Sequence, residues 1–126
     1  RAESTGRDRR MTLSLSDAQT LVDDWVQTIG VRYFSELTNT AILMEEVGEV
    51  ARVMARRYGD QSNKPSDESA DLGEEMADVL FVLLCLANQT EVDLESAFLA
   101  KMERRTERDR ERHQSNPKLR DAAPST

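Results

Sequence analysis

Two short acidic motifs contain the residues of this chain whose types and spacing could do chemistry. Glu46 and Glu49 lie three residues apart, and Glu75 and Asp78 repeat that spacing further along the chain. Residues three apart are neighbours on one face of an α-helix, so each motif presents two carboxylates on the same side. If the two helices pack together, four carboxylates meet in one place, where protons or a cation are needed to offset their repulsion.

The helices that carry these motifs are predicted to bury part of the acidic side chains. At about 100° per residue, Glu46 falls inside the apolar stripe of its helix and Glu49 falls at the edge of that stripe. The apolar residues between positions 76 and 87 cover the whole circumference of the second helix, which indicates a helix enclosed by protein. Asp78 is the only acid in that run, and a buried carboxylate without a partner is rare, which favours a bound metal.

The ligand chemistry of these acids favours one class of metal. Histidine and thiolate ligands are typical of zinc and iron, but the single histidine, His113, lies in a charged terminal stretch. Oxygen ligands instead favour Mg²⁺, with Mn²⁺ as a substitute. The candidate ligands are Glu46, Glu49, Glu75 and Asp78. Because substrate phosphates commonly complete the coordination of Mg²⁺, groups that bind phosphate are expected as well.

Cationic and aromatic side chains are candidates for binding such a substrate. Lys101, Arg105 and Arg108 follow one another at four and three residues, which on a helix forms one cationic row able to neutralise phosphate oxygens. The alternative, a solvated charged face, is favoured for Arg105 and Arg108 taken alone. Tyr33 and Phe34 lie shortly before the first acidic motif, and they either close the hydrophobic core or border a pocket for a planar base.

Composition limits the class of protein. The chain of 126 residues suits one domain, and 24 acidic against 17 basic side chains give a net charge of −7. This charge disfavours non-specific binding to nucleic acid and to anionic membranes. No apolar run reaches the roughly 18 residues that span a bilayer. The single cysteine, Cys85, cannot form an intrachain disulfide, so a reduced, cytoplasmic setting is expected.

Helical periodicity predicts an all-α scaffold for these residues. The third helix is apolar on every side, and four helices of this length cover it only partly, so a second copy of the chain is expected to complete the core. The first helix is predicted from Leu13 to Ile29, with a cap at Ser14 or Ser16, and the second from a cap at Thr38 or Asn39 to Tyr58. The third is predicted to start at Ser66 or Asp67 and to fade at 89–91. The fourth is predicted to run from a cap at Asp93 into the charged run.

The ends of the chain are predicted to lie outside the folded domain. Residues 1–12 are expected to be a disordered extension or a cloning remnant, with Met11 as a candidate for the natural start. Residues 13–113 are expected to form the domain. Residues 114–126, rich in proline, serine and alanine, are expected to form a disordered tail.

The acidic motifs and their flanks resemble the MazG-like, all-α nucleotide pyrophosphohydrolases. The resemblance implies a four-helix, MazG-like bundle completed by association of protomers into dimers or tetramers, with Mg²⁺ held by the four acids. It also implies hydrolysis of a nucleoside triphosphate between its α and β phosphates, giving the monophosphate and pyrophosphate. The resemblance covers roughly residues 13–108 and is carried by Glu45-Glu46-Val47-Gly48-Glu49-Val50, Glu74-Glu75-Met76-Ala77-Asp78-Val79-Leu80, Val92-Asp93-Leu94 and Lys101.

Particular roles follow from the resemblance, position by position. Lys101 would contact phosphate, and either Glu49 or Glu45 would act as the general base. Glu45 also points toward Arg52 and Arg56 on the polar helix face and has the alternative of pairing there. Relatives often carry asparagine where Arg105 stands, and the dCTP-hydrolysing type carries aromatic residues where Arg56 and Val82 align, so a preference for dCTP is not carried over.

Two other functions are compatible with the sequence. One is pyrophosphohydrolysis of a related metabolite such as phosphoribosyl-ATP, an activity found on a similar helical scaffold. The other is a non-catalytic helical oligomer that uses its acids to hold a structural cation. The leading hypothesis is hydrolysis of nucleoside triphosphates, with cleaning of the nucleotide pool as one role for that activity.

Overall fold

The computed structural model describes residues 12–67 and 69–120, without the side chain of Ser66, and these residues form helices and no strand. The all-α class is therefore confirmed. Residues 1–11 of the expected extension and residues 121–126 of the expected tail lie outside the described residues. The helices are α1 (Leu15–Thr28), α2 (Glu36–Tyr58), α3 (Leu72–Gln89), α4 (Leu94–Asp109) and α5 (Pro117–Arg120), with a 3₁₀ turn at Pro65–Asp67.

The start of α1 follows from a reciprocal cap. The Ser14 hydroxyl accepts a hydrogen bond from the backbone N–H of Asp17 at 2.9 Å, and the Asp17 carboxylate accepts one from the backbone N–H of Ser14 at 3.1 Å. Such a capping box satisfies two N–H groups that the first helical turn leaves without partners. Ser14, rather than Ser16, is therefore the cap.

The predicted start of α2 is wrong by a few residues. Ser35 is the N-cap, because its hydroxyl accepts a hydrogen bond from the backbone N–H of Thr38 at 3.1 Å. Thr38 and Asn39, predicted as caps, consequently lie inside the first turn of the helix. This placement buries the side chain of Asn39, which is 5% exposed. The predicted end holds, since Tyr58 is the last residue of α2 and Gly59 follows it.

The predicted start of α3 is also wrong. Asp71 is the N-cap, and its carboxylate accepts hydrogen bonds from the backbone N–H groups of Gly73 at 2.8 Å and of Glu74 at 3.2 Å. The helix therefore begins several residues after Ser66 and Asp67, the residues predicted to start it. Its end at Gln89 falls where the prediction places it.

Asp67 instead holds the connection between α2 and α3 against α2. Its buried carboxylate accepts hydrogen bonds from the backbone N–H of Lys64 at 2.8 Å, from Arg56 at 2.5 Å and from Arg52. The Lys64 N–H and the two guanidinium groups hold the pKa of Asp67 below its ordinary value, against the opposing effect of burial. The polar connection is thus fixed by one carboxylate with three donors.

The core of the first compact unit, which extends to Asp93, is organised around α3. Both α1 and α2 pack against α3. Other apolar side chains of α3 remain 38 to 50% exposed, among them Met76, Leu80, Phe81 and Leu83. A single chain thus covers α3 only partly, as predicted, and completion of its burial by a second copy stays a prediction. The buried apolar residues of this unit are Ala18, Val22, Val26, Val53, Val82, Leu84, Cys85 and Ala87.

The second compact unit begins at Leu94 and contains α4 and α5. None of its described residues is buried. The expected helix through the charged run is present up to Asp109, whose carboxylate lies 2.8 Å from Arg108 and 3.0 Å from Arg112. Of the four expected helices, three therefore lie in the first unit and the fourth, α4, lies in the second. The stretch expected as a tail contains the four residues of α5.

Among the described residues, no helix combines the length and the apolar character needed to cross a bilayer.

Candidate metal and nucleotide site

Three of the four predicted acidic ligands lie together. Glu46 on α2 and Glu75 and Asp78 on α3 each offer an oxygen atom, and these atoms all lie within 4.8 Å of one another. The two motifs meet because α2 packs along α3. We call Glu46, Glu75 and Asp78 the acid trio. Burial, followed by the negative charges of Asp78 and Glu75, raises the pKa of Glu46 above its ordinary value.

The donor set of the acid trio fits a small divalent cation. Oxygen ligands of Mg²⁺ lie about 2.0 to 2.1 Å from the ion, so two of them are at most about 4.2 Å apart across an octahedron. Small side-chain rotations therefore bring oxygens that lie within 4.8 Å to ligand distance. A set of carboxylate oxygens alone favours Mg²⁺ or Mn²⁺ over zinc.

Glu49, the fourth predicted ligand, is not part of the trio. Its carboxylate accepts a hydrogen bond from Nε of Arg52 at 3.3 Å, one turn further along α2. Arg52 also contacts Asp67, so a single guanidinium joins the first acidic motif to the connection between α2 and α3. Glu45, the other candidate base, is exposed on the same helix. The sequence places Arg52 on the side of Glu45, whereas the structure pairs it with Glu49.

A cavity of about 300 Å³ lies beside the acid trio. Glu46 belongs both to the trio and to the wall of this cavity, so the two features adjoin. Trp25 and Phe81, also in the wall, meet edge to face with ring centroids 5.8 Å apart. A mostly apolar, aromatic wall with a few polar groups is typical of small-molecule sites. The lining residues are Trp25, Val26, Gly30, Arg32, Tyr33, Phe34, Asn39, Ile42, Glu46, Phe81, Val82 and Cys85.

Tyr33 and Phe34, predicted either to close the core or to border a pocket, both line this cavity. The Tyr33 hydroxyl donates a hydrogen bond to Asp23 at 2.6 Å and accepts one from the side-chain amide of Asn88 at 3.0 Å. Burial and the bond to Asp23 raise the pKa of Tyr33 to about 12. Because its hydroxyl is engaged inside the protein, Tyr33 contributes its ring rather than its proton to the cavity.

Asn39 is a polar residue of the cavity that the sequence predicts only as a possible helix cap. Its amide nitrogen donates a hydrogen bond to Oε1 of Gln89 at 2.9 Å, and the Gln89 amide nitrogen donates to the backbone carbonyl of Phe34 at 2.5 Å. Asn39 and Glu46 are seven residues apart, which places them on the same face of α2. That spacing is the signal in the sequence that could have indicated Asn39.

The predicted phosphate-binding residues Lys101, Arg105 and Arg108 are exposed on α4. The Arg108 guanidinium donates two hydrogen bonds to Asp109, at 3.1 and 2.8 Å, and Nη1 of Arg105 lies 4.0 Å from the sulfur of Met102. Arg108 and Arg112 hold the pKa of Asp109 far below its ordinary value. These residues belong to the second compact unit, and their role toward phosphate stays a prediction.

Comparisons with known proteins concern the family and the fold of the chain. A family model described as the MazG nucleotide pyrophosphohydrolase domain matches residues 34–113. YpjD of Bacillus subtilis (strain 168) is 39% identical over 99 residues, which cover 79% of this chain and 89% of YpjD. The crystal structure of YpjD covers 72% of this chain and 93% of its own, with a TM-score of 0.63. A Bacillus-conserved MazG protein, described as a nucleotide pyrophosphohydrolase, matches at 36% identity and a TM-score of 0.60, over 72% of this chain and 87% of its own.

The matched segment contains the acid trio, Glu49 and Lys101. The family model and the structure of the Bacillus-conserved MazG protein therefore agree on one class of hydrolase, and both crystal structures share the all-helical fold of this chain. This chain belongs to the MazG nucleotide pyrophosphohydrolase family.

Proposed function

We propose that this enzyme is a Mg²⁺-dependent nucleoside triphosphate pyrophosphohydrolase that cleaves a (d)NTP to the (d)NMP and pyrophosphate. The acid trio is the observation that carries the proposal, because its three carboxylates come within 4.8 Å of one another and need a cation. The aromatic cavity that shares Glu46 with the trio supports a substrate with a planar base.

Each candidate residue has a role in this reaction. Glu46, Glu75 and Asp78 would hold Mg²⁺, which neutralises phosphate charge and lowers the pKa of the attacking water. Water attacks the α phosphorus, the bond to the bridging α–β oxygen breaks, and pyrophosphate leaves. Glu49 or Glu45 accepts the proton of that water. Glu49, proposed also as the fourth ligand, would have to give up its 3.3 Å bond to Arg52 to hold the cation.

The remaining predicted residues bind the substrate. Lys101, Arg105 and Arg108 supply cationic groups for the outer phosphates, where pyrophosphate charge accumulates. Tyr33 and Phe34 border the base, because both line the cavity beside Glu46. Stacking on aromatic rings accepts any base, since every base has a π-face.

We further propose that copies of the chain associate into a dimer or a tetramer. Exposed apolar side chains on α3, such as Leu80 and Leu83, support this because a single chain leaves them 43% and 39% exposed. The free and buried thiol of Cys85 agrees with a reduced, cytoplasmic setting, where cleaning of the nucleotide pool is the proposed role.

A substrate panel tests the proposed reaction. Individual dNTPs, NTPs and phosphoribosyl-ATP are incubated with and without Mg²⁺, and the products are separated by ion-exchange chromatography. We expect monophosphate and pyrophosphate only with Mg²⁺, and a loss of about 100-fold or more in turnover for Glu75→Gln and Asp78→Asn, because each removes an anionic group that the reaction needs. Glu74→Gln, an exposed neighbour outside the trio, is the matched control.

Three outcomes would contradict parts of the proposal. Release of orthophosphate in place of pyrophosphate, or full activity of both variants, would refute this reaction at this site. A preference for phosphoribosyl-ATP would favour the related metabolite as substrate. Melting that depends on Mg²⁺ without any turnover would favour a helical oligomer with a structural cation.

A further inference from the structure

We propose that the side-chain oxygen of Asn39 is the group that hydrogen-bonds the base of the substrate, and that Gln89 is a positioning residue that fixes its direction. The inference rests on the proposed function in so far as it takes the aromatic cavity to receive the base. It adds a group that recognises an N–H donor of the base, which stacking on aromatic rings does not do.

The orientation of both amides follows from one backbone carbonyl. The carbonyl oxygen of Phe34 can only accept, so the part of the Gln89 amide that lies 2.5 Å from it is the NH₂ group. The oxygen of Gln89 therefore faces Asn39, and because it too can only accept, the NH₂ group of Asn39 faces Gln89 at 2.9 Å. The end of Asn39 that remains is its oxygen, Oδ1.

This oxygen is available to a ligand. Asn39 is 5% exposed and lines the cavity, yet its Oδ1 makes no hydrogen bond within the described residues. Among those residues, every side-chain polar atom that is sealed from solvent has a partner. Oδ1 is therefore reached from the open space beside it. A bound ligand that leaves this acceptor without a hydrogen bond loses affinity. A ligand that donates a hydrogen bond to it binds more tightly.

The other polar side chains of the cavity are less suited to read a base. The Tyr33 hydroxyl is engaged by Asp23 and Asn88, and the Arg32 guanidinium donates to the carbonyl of Tyr33 at 2.8 Å. Glu46 belongs to the acid trio. The Asn39 oxygen thus favours a base that presents an N–H group to it, such as the amino group of adenine or cytosine or the ring N–H of uracil, over an analogue that lacks that donor.

Matched pairs of nucleotides test this inference. The probes are α,β-imido deoxynucleoside triphosphates with Mg²⁺, in pairs that differ by one donor: adenine against purine, and cytosine against 2-pyrimidinone. Their Kd values are measured by titration calorimetry, together with kcat/KM for the corresponding hydrolysable triphosphates. The wild type binds one of the two pairs more tightly. Within that pair, we expect it to prefer the donor-bearing member by about 10- to 100-fold, both in Kd and in kcat/KM.

Two variants separate recognition from folding. Asn39→Leu, which keeps a similar volume without the amide, is expected to bring the ratio within a pair to about 1. Gln89→Met keeps Asn39 but removes the hydrogen bond that fixes its amide, so an intermediate ratio is expected. If Asn39→Leu does not fold, Gln89→Met tests the inference in its place. Thr40→Ala, which changes an exposed residue of the same turn outside the cavity lining, is expected to keep the ratio of the wild type.

The results distinguish the inference from the proposed function. A wild-type ratio of about 1, an unchanged ratio in both variants, or equal weakening of every probe would overturn the role of Asn39 while leaving pyrophosphate release intact. Binding with the expected ratios but without hydrolysis would instead refute the proposed function and retain the base site. A failure of every imido probe to bind would overturn the inference.

Discussion

When no cation is bound, the negative charge of Glu46 lowers the free energy of unfolding, because the other two acids of the trio repel it. Its oxygen lies within 4.8 Å of oxygens of Glu75 and Asp78. At that distance two unit charges repel by about 0.9 kcal/mol in water and by about 3.5 kcal/mol at an effective dielectric constant of 20. Because Asp78 is exposed and Glu75 half-buried, solvent screening favours the lower end, which gives about 2 kcal/mol for the two neighbours together.

The sign of the effect follows from the pKa of Glu46. Burial and the neighbouring carboxylates raise it above the ordinary value of 4.5, so the folded state binds the proton more tightly than the unfolded state. This destabilisation is therefore absent below pH 4.5 and grows as the pH rises through the raised pKa of the folded state. Glu46→Gln keeps the shape of the side chain and removes its charge. At pH 7 without metal, this variant is expected to be more stable than the wild type.

Urea and thermal unfolding with and without Mg²⁺ measure both halves of this prediction. In EDTA at pH 7, Glu46→Gln is expected to raise the free energy of unfolding by about 1 to 2 kcal/mol, or Tm by roughly 4 to 8 °C. At a Mg²⁺ concentration about 100 times its Kd, the wild type is expected to gain about 2.7 kcal/mol, and the variant much less. Glu74→Gln, which changes an exposed acid outside the trio, is expected to behave as the wild type in both conditions.

The opposite pattern would refute the reasoning. If Glu46→Gln were less stable than the wild type in EDTA at pH 7, the carboxylate would be engaged by a favourable partner rather than crowded by like charges. If the variant gained as much stability from Mg²⁺ as the wild type, the trio would not be the metal site.

Two further predictions concern the scaffold. The pKa of Asp67 is lowered in the folded state, so the stability it contributes is present above about pH 4 and is lost as the pH falls through the lowered value. Asp67→Asn should therefore flatten the acid side of a plot of urea midpoint against pH. A curve parallel to that of the wild type would contradict this. Sedimentation at micromolar concentration should show a dimer or tetramer, which Leu80→Glu dissociates by placing a charge on the exposed apolar side of α3; a wild-type monomer would exclude this association.

Periodicity predicted that the helices exist and that acids of the two motifs meet, but it did not predict where α2 and α3 begin. Apolar residues at helical spacing predict α1, α2 and α3, and the spacing of three residues within each motif places the acids on one side of each helix. Because α2 and α3 are long and apolar on facing sides, their packing and the approach of Glu46 to Glu75 and Asp78 follow with little further information.

The cap of α3 and the position of Glu49 were not predicted, because each depends on which of several hydrogen-bond partners a carboxylate takes. Asp67 satisfies the general preference for a helix cap, but two guanidinium groups and the Lys64 N–H engage its carboxylate, and Asp71 caps α3 instead. Glu49 has the spacing of a ligand, but Arg52 lies within reach on the next turn. Spacing shows which side of a helix a residue occupies, whereas the choice among several local partners depends on distances that only the folded chain defines.

The separation between the proposed metal and base sites is set by a helix rather than by a loop. Asn39 and Glu46 lie on the same face of α2, seven residues apart, which corresponds to a rise of about 10 Å along the axis. Gln89 and Glu75 contact this face from opposite parts of α3, through the amide of Asn39 and the carboxylate of Glu46. Both ends of the candidate site are therefore built on the same pair of packed helices, and a rigid pair fixes how far the base lies from the phosphates.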